Sequence, residues 1–150
     1  MISRFERFSL SIFEISRCWH KVAADEMARY GLKGPHAIYL IVMNRKPEGL
    51  TSSQLTEACN RDKADVSRAM SAMEENGLIE KDLPGNRYRA RLKLTEKGRA
   101  AAFHICKRAA VAVEAAGKGM SDDQRKVFYE TLELIATNLR EISEEGLPEE

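Results

Sequence analysis

Apolar side chains recur at helical spacing from the start of the chain: Phe5, Phe8, Ile12, Ile15, Trp19, Val22 and Met27 form one broad stripe. The pattern predicts a first helix over 2–30, closed by Gly31, with Pro35 in the first turn of the next. That second helix, 35–45, is apolar nearly all round ("AIYLIVM" at 37–43), so it should be buried on most sides. Thr51 followed by Gln54 is a capping box that opens a short helix at 52–59. Asp62 caps another helix, which stops at Asn76-Gly77. Two short helices joined by a few residues form a helix-turn-helix pattern.

After Gly77 the period changes to two. "LIEKDLPGNRYRARLKLT" reads as strand, Pro-Gly turn and strand, with Tyr88, Ala90, Leu92 and Leu94 on one face. Arg87, Arg89, Arg91 and Lys93 occupy the other. Thr95 starts a long helix running to 116, and Ser121 with Gln124 forms a capping box for the last one. That helix runs to Glu145 with Val127, Phe128, Leu132, Ile135, Leu139 and Ile142 on its apolar side, and "GLPEE" frays after it. The predicted fold is mainly α with a small β-hairpin wing, a winged helix-turn-helix between N- and C-terminal helices.

A chain of 150 residues, 43% apolar and 31% charged, is expected to fold as one globular domain. The net charge of +1 hides a division. Residues 1–120 hold 21 Lys and Arg against 14 Asp and Glu, whereas residues 121–150 hold 3 against 9. A basic body permits a polyanionic partner. Cys18, Cys59 and Cys106 are odd in number and scattered, which favours a reducing compartment over a disulfide framework. Arg4, Glu6 and Arg7 interrupt any signal peptide, and no apolar run is long enough for a bilayer. The expectation is a soluble cytoplasmic protein with no membrane association.

The helix after Asp62 carries an unusual outer face. Lys63, Ala64, Ser67, Arg68 and Ser71 stand where a surface helix normally places long charged side chains. In a helix-turn-helix this second helix enters the DNA major groove, and small residues let its axis approach the groove floor. Ala64 suits a thymine methyl, Arg68 a bidentate contact to guanine, and Lys63 a phosphate. Asp65 is the misfit: it can accept from cytosine, orient Arg68, or favour the positive helix N-terminus. Ala and Ser are also ordinary on exposed helices. The cationic strand is equally what protects a solvated edge from pairing, and the same cations can grip phosphates.

These pieces resemble the MarR family of bacterial transcriptional regulators. The resemblance rests on "GLTSSQLTEA", "VSRAMSAMEENGLIEK" and "RLKLTEKG", in order and spacing across 31–98. It implies one MarR-like domain over 1–150, with the winged helix-turn-helix at 34–98 and dimerisation helices at 1–30 and 99–146. It also implies an obligate homodimer on a palindromic operator in double-stranded DNA, usually a repressor, released by a small molecule or a chemical change. Residues 61–71 become the base-reading region, with Arg61, Lys63, Ala64, Asp65, Ser67, Arg68 and Ser71 facing DNA. Thr51 and Ser53 approach phosphates, and Arg87, Arg89 and Arg91 belong to the wing. The family's Asp-x-Arg wing tip is replaced here by "DLPGNRYRAR", which leaves Arg87 and Arg89 as alternative minor-groove residues. The wide stripes on the first and last helices support a dimer independently, because so small a winged domain cannot cover them.

In relatives, phenolic or carboxylate effectors lodge where the first, second and fifth helices meet the winged domain. Trp19, Tyr30, His36, Tyr39 and Phe103 correspond to that region, and all five are equally suited to a core. Metal sensing would need His20, His36 and His104 together, because Cys18/His20 and His104/Cys106 lie two apart and share no helical face. Cys18 falls more than two turns after the family's peroxide-sensing position and reads as a packed thiol. No paired carboxylates, phosphate-binding glycine loop or nucleophile with its base is present, so neither an enzyme nor a cofactor is expected. The contrasting reading is a winged helix used only for protein contacts, or a metal- or redox-responsive regulator of the same fold.

Overall fold

Capping side chains set most of the helix starts. The computed structural model describes residues 1–82 and 90–149. Helix α1 (Arg4–Met27) opens on a Ser3–Glu6 capping box and passes into a single 3-10 turn at Ala28–Tyr30. It therefore starts two residues later than its stripe suggests, because Ser3 takes the capping position. Gly31 follows in the left-handed region at φ +68°. Pro35 lies in a separate 3-10 turn, Gly34–His36, and α2 is only Ala37–Asn44.

Helix α3 (Ser52–Cys59) has the Thr51–Gln54 capping box, and α4 (Lys63–Glu75) has Asp62 Oδ1 accepting from the Asp65 amide at 2.7 Å. Strands β1 (Ile79–Asp82) and β2 (Arg91–Leu94) pair antiparallel, Ile79 opposite Leu94 and Asp82 opposite Arg91. A further bridge joins Leu50 to Leu92, with amide-to-carbonyl distances of 3.0 and 2.8 Å, and ties the entry of α3 to the hairpin. Helix α5 (Glu96–Ala116) follows, then α6 (Asp122–Glu145) with its Ser121–Gln124 capping box.

The chain forms two compact units, 1–109 and 110–150. In the first, Tyr39, Leu40, Leu55, Val66, Met73 and Leu78 are essentially fully buried, together with Met27 from α1 and Ala101, Ala102 and Ile105 from α5. Helix α2 is buried or half-buried from Ala37 to Met43, as its all-round apolar character predicts. Leu92 and Leu94 face this core while Arg91 is exposed, which agrees with the alternation of the strand. In the second unit, the Arg125 guanidinium reaches the Gly117 carbonyl at 3.4 Å and Glu114 at 3.6 Å. Among the described residues no helix is long and apolar enough to cross a membrane.

The end of α4 is stitched to the start of α5. The Thr95 amide donates to the Leu78 carbonyl (3.0 Å), the Thr95 hydroxyl to the Gly77 carbonyl (2.6 Å), and Lys97 Nζ to the Asn76 carbonyl (2.8 Å). Gly98 lies directly against the Leu78 carbonyl, and a Cβ there would overlap its oxygen. Helix propensity alone would make Gly98→Ala stabilising by roughly 1 kcal/mol. The collision instead predicts a net loss of about 2–3 kcal/mol, measured as a lower urea midpoint at an unchanged slope.

Candidate nucleic-acid interface

Asn60 turns the chain between the paired helices. Its backbone is left-handed (φ +49°), a conformation asparagine tolerates better than most residues, and Arg61 N–H donates to the Thr56 carbonyl at 3.2 Å. The turn presents α4 with Val66, Ala69, Met70 and Met73 inward. Outward, Lys63, Ala64, Ser67, Arg68 and Ser71 are exposed, with Arg61 exposed just ahead of them. The stripe read from the sequence is thus a real surface.

A groove of about 310 Å³ runs along this surface. Ser52, Ser53 and Thr56 line it from α3, and Lys63, Ser67 and Ser71 from α4, with Val66, Met70 and Leu92 beneath and Lys81 from β1. Five hydroxyls and two ammonium groups over an apolar base suit a phosphate-bearing strand, since hydroxyls and lysines supply the usual backbone contacts. Thr51 is half-buried and its hydroxyl accepts the Gln54 amide at 3.3 Å, so its position at the α3 start is fixed by capping. Ser52, Thr56 and Lys81 were not evident in the sequence; Ser52 and Thr56 follow once the groove between α3 and α4 is known, whereas Lys81 depends on the hairpin register.

In the wing, Arg91 is exposed, and Arg87 and Arg89 lie outside the described residues, as do the Pro-Gly turn and Tyr88. Lys93, the fourth cation on that strand face, is already paired: its Nζ lies 3.0 Å from Asp82 Oδ2. Lys81 similarly lies 3.3 Å from Glu74. The hairpin base therefore carries its own counter-charges.

Asp65 is half-buried and engaged on both oxygens. The Tyr39 hydroxyl donates to Oδ2 at 2.5 Å, and Oδ1 lies 3.8 Å from Arg68 Nη2. The phenol's hydrogen bond, ahead of the nearby His36, Arg61 and Arg68 charges, holds the Asp65 carboxyl below its ordinary range despite partial burial. Burial, followed by the same hydrogen bond, pushes the Tyr39 phenol well up. His36 is buried, its Nδ1 has no hydrogen-bond partner among the described residues, and burial lowers its pKa. Its ring sits 5.9 Å from that of Tyr39.

Of the residues read as an effector set, His36 and Tyr39 are thus together in the core. Tyr30 is half-buried and meets His104 edge-on at 6.2 Å, while Trp19 and Phe103 are exposed. His104 belongs to an ion cluster that the sequence reading missed. Glu26 accepts from Arg108 Nε at 2.9 Å, with His104 at 3.4 Å and Arg29 at 3.6 Å, which joins α1 to α5. The Arg108 hydrogen bond lowers the Glu26 pKa. Cys18 is exposed rather than packed, because among the described residues its helix face is left uncovered; Cys106 is also exposed, and Cys59 is half-buried. Among the described residues no cluster of three or more His, Cys, Asp or Glu is arranged to hold a metal.

Residues 30–87 match the family model described as MarR family. Solved structures agree over the longer span. A MarR transcriptional regulator from Methanosarcina mazei Go1 superimposes with a TM-score of 0.77 at 22% identity, covering 91% of this chain and 99% of that one. A protein from Listeria monocytogenes, described as a MarR-family transcriptional regulator complexed with 26mer DNA, gives 0.76 at 22% identity, covering 93% and 96%. A MarR-family regulator from Silicibacter pomeroyi gives 0.71 at 20% identity, covering 91% and 92%. No curated protein matches the chain. The fold is the winged helix-turn-helix of MarR structures, and the resemblance read from the sequence is borne out.

The Tyr39–Asp65 bond has a signed pH consequence. Because the folded Asp65 pKa is below the ordinary 3.8, its contribution to stability is fully present above that value and is lost as pH falls through the folded value. Tyr39→Phe should cost about 1.5–3 kcal/mol at pH 6–7, the worth of a hydrogen bond to a charged group. That deficit should narrow below pH 3.8 as Asp65 protonates in both proteins, as followed by urea unfolding across pH.

Proposed function

We propose that this chain, MarR-like in sequence over residues 30–87 and in fold over nine-tenths of its length, is a sequence-specific DNA-binding transcriptional regulator. Its site is a pseudo-palindromic operator, bound as a homodimer, and its usual effect is repression relieved by a small phenolic or carboxylate effector. The observation that carries the reading is the exposed, side-chain-sparse face of α4 beside a groove of hydroxyls and lysines. A face of that shape admits the helix to a major groove, where Arg68 can read guanine and Ala64 a thymine methyl. Lys63, Ser53 and Thr51 serve the backbone, and Arg91, with Arg87 and Arg89, serves as the wing's phosphate or minor-groove contact. The Listeria relative's 26mer DNA complex supports the same partner class here.

The dimer is supported by apolar surface that the chain leaves uncovered. Phe5, Phe8, Ile12 and Ile15 on α1 and Phe128, Leu132 and Leu139 on α6 are all exposed. Exposed apolar area of this extent, at helical spacing, marks a protein interface. Two winged units held by 1–30 and 99–146 would place their α4 helices in successive major grooves, about 34–36 Å apart. An effector lodged near Trp19, Tyr30, His36, Tyr39 and Phe103 would act by changing that separation.

Selection of bound sequences from random duplexes tests the reading. An enriched two-fold site is expected, with affinity falling by orders of magnitude as salt rises fourfold. No enrichment and salt-insensitive behaviour would point instead to a protein-contact module. On the enriched site, Arg68→Ala should relax preference at one position per half-site by about 1–3 kcal/mol. Arg91→Ala should weaken all sequences alike and lower the salt slope by about 1.

A further inference from the structure

We infer that Tyr39, a core residue of α2, is a positioning residue for sequence readout, acting through Asp65 on the Arg68 guanidinium. The inference rests on the DNA-binding reading and adds to it a residue that never touches the nucleic acid.

A carboxylate at the third position of a DNA-reading helix opposes the phosphates and needs a compensating use. It is not the helix cap: Asp62 fills that role, with its Oδ1 accepting the Asp65 amide at 2.7 Å. Its partners show a use within the protein: Oδ2 accepts a hydrogen bond from the Tyr39 hydroxyl, and Oδ1 faces Arg68 Nη2 at 3.8 Å, an ion-pair distance. This placement suits the carboxylate to orient Arg68, and the fixed point for that orientation lies inside the protein. Tyr39 is fully buried, with its ring 5.9 Å from that of the buried His36. A phenol packed in this way is restrained by its neighbours, so its hydroxyl steadies the Asp65 carboxylate from the core side. The exposed guanidinium is then biased toward Asp65, on the helix face that also carries Ala64 and Ser67.

Two effects follow for binding. An arginine aimed in advance loses less freedom when it meets a guanine edge. The same bracket holds the guanidinium away from phosphates, so Arg68 contributes less to binding of arbitrary sequence. Tyr39 therefore raises the ratio of specific to non-specific affinity rather than affinity as such. A merely structural tyrosine would move both affinities together.

The test uses the full chain and the duplex enriched from random sequences. Binding is measured for the native protein and for Tyr39→Phe, Asp65→Asn, Arg68→Ala and Tyr39→Phe/Arg68→Ala. Each is titrated with the enriched duplex, with single base-pair variants of it and with an unrelated duplex, all at one salt concentration. Discrimination of about tenfold or more is expected at the Arg68 position of the native protein. Tyr39→Phe should reduce it several-fold while binding to the unrelated duplex stays the same or strengthens. Asp65→Asn, which preserves the packing and an acceptor for the phenol but loses the charge facing Arg68, should reduce it likewise. In the Arg68→Ala background, Tyr39→Phe should add nothing. A parallel loss on specific and unrelated duplexes, an undiminished effect without Arg68, or unchanged discrimination in Tyr39→Phe would each overturn the inference while leaving DNA binding intact. Absence of any enriched sequence for the native protein would instead sink the DNA-binding reading, and this inference with it.

Discussion

The end of α4 is held by the first turn of α5, and this attachment decides where the candidate reading face can point. Three hydrogen bonds converge on consecutive carbonyls, those of Asn76, Gly77 and Leu78, from Lys97, the Thr95 hydroxyl and the Thr95 amide. The Asn76 carbonyl belongs to the end of α4, where a helix runs out of internal donors, and those of Gly77 and Leu78 follow just past it. Supplying donors from the next helix satisfies them and fixes the two helices at one distance. The Thr95 hydroxyl also accepts the Gly98 amide at 3.1 Å, so one side chain caps the start of α5 while closing the end of α4. The "NGLI" and "LTEKG" segments are thus two halves of a single joint.

The other end of the reading surface is fixed by different means. Asp62 caps α4, Asn60 makes the turn from α3, and the Leu50–Leu92 bridge anchors the start of α3 to the hairpin. Helix α4, the α3 groove and the wing base therefore behave as one piece over a core of Leu55, Val66, Met73 and Leu78. Small residues outside and large ones inside are two aspects of the same helix. The inner face binds it to the body, and the outer face leaves room for a partner.

Much of this was legible in the sequence because its causes are local. The Thr51–Gln54 and Ser121–Gln124 boxes and the Asp62 cap are read from spacings of three, and all form as expected. The inward Val66, Met70 and Met73 follow from helical period, and Leu92 and Leu94 from alternation. What was not legible is pairing across the fold. Tyr39 meets Asp65 twenty-six positions away, and Glu26 meets Arg108 eighty-two away; neither periodicity nor capping encodes such partners. Tyr39 reads from the sequence as a core or effector residue, and its hydroxyl's destination became visible only once α2 and α4 were packed together. The Lys93–Asp82 pair depends on hairpin register, which the sequence suggests only loosely.

Asn76 has one further neighbour. A Cβ at Gly31, which leaves α1 in a left-handed backbone, would lie 2.6 Å from the Asn76 side-chain oxygen. The exit of one helix, the cap of a second and Lys97 from the first turn of a third therefore meet at a single asparagine. Changes at 31 and 76 draw on the same small space, so their effects should be strongly non-additive. A lineage drifting through sequence space would have to alter the two in concert or leave both alone, which makes this junction a source of epistasis.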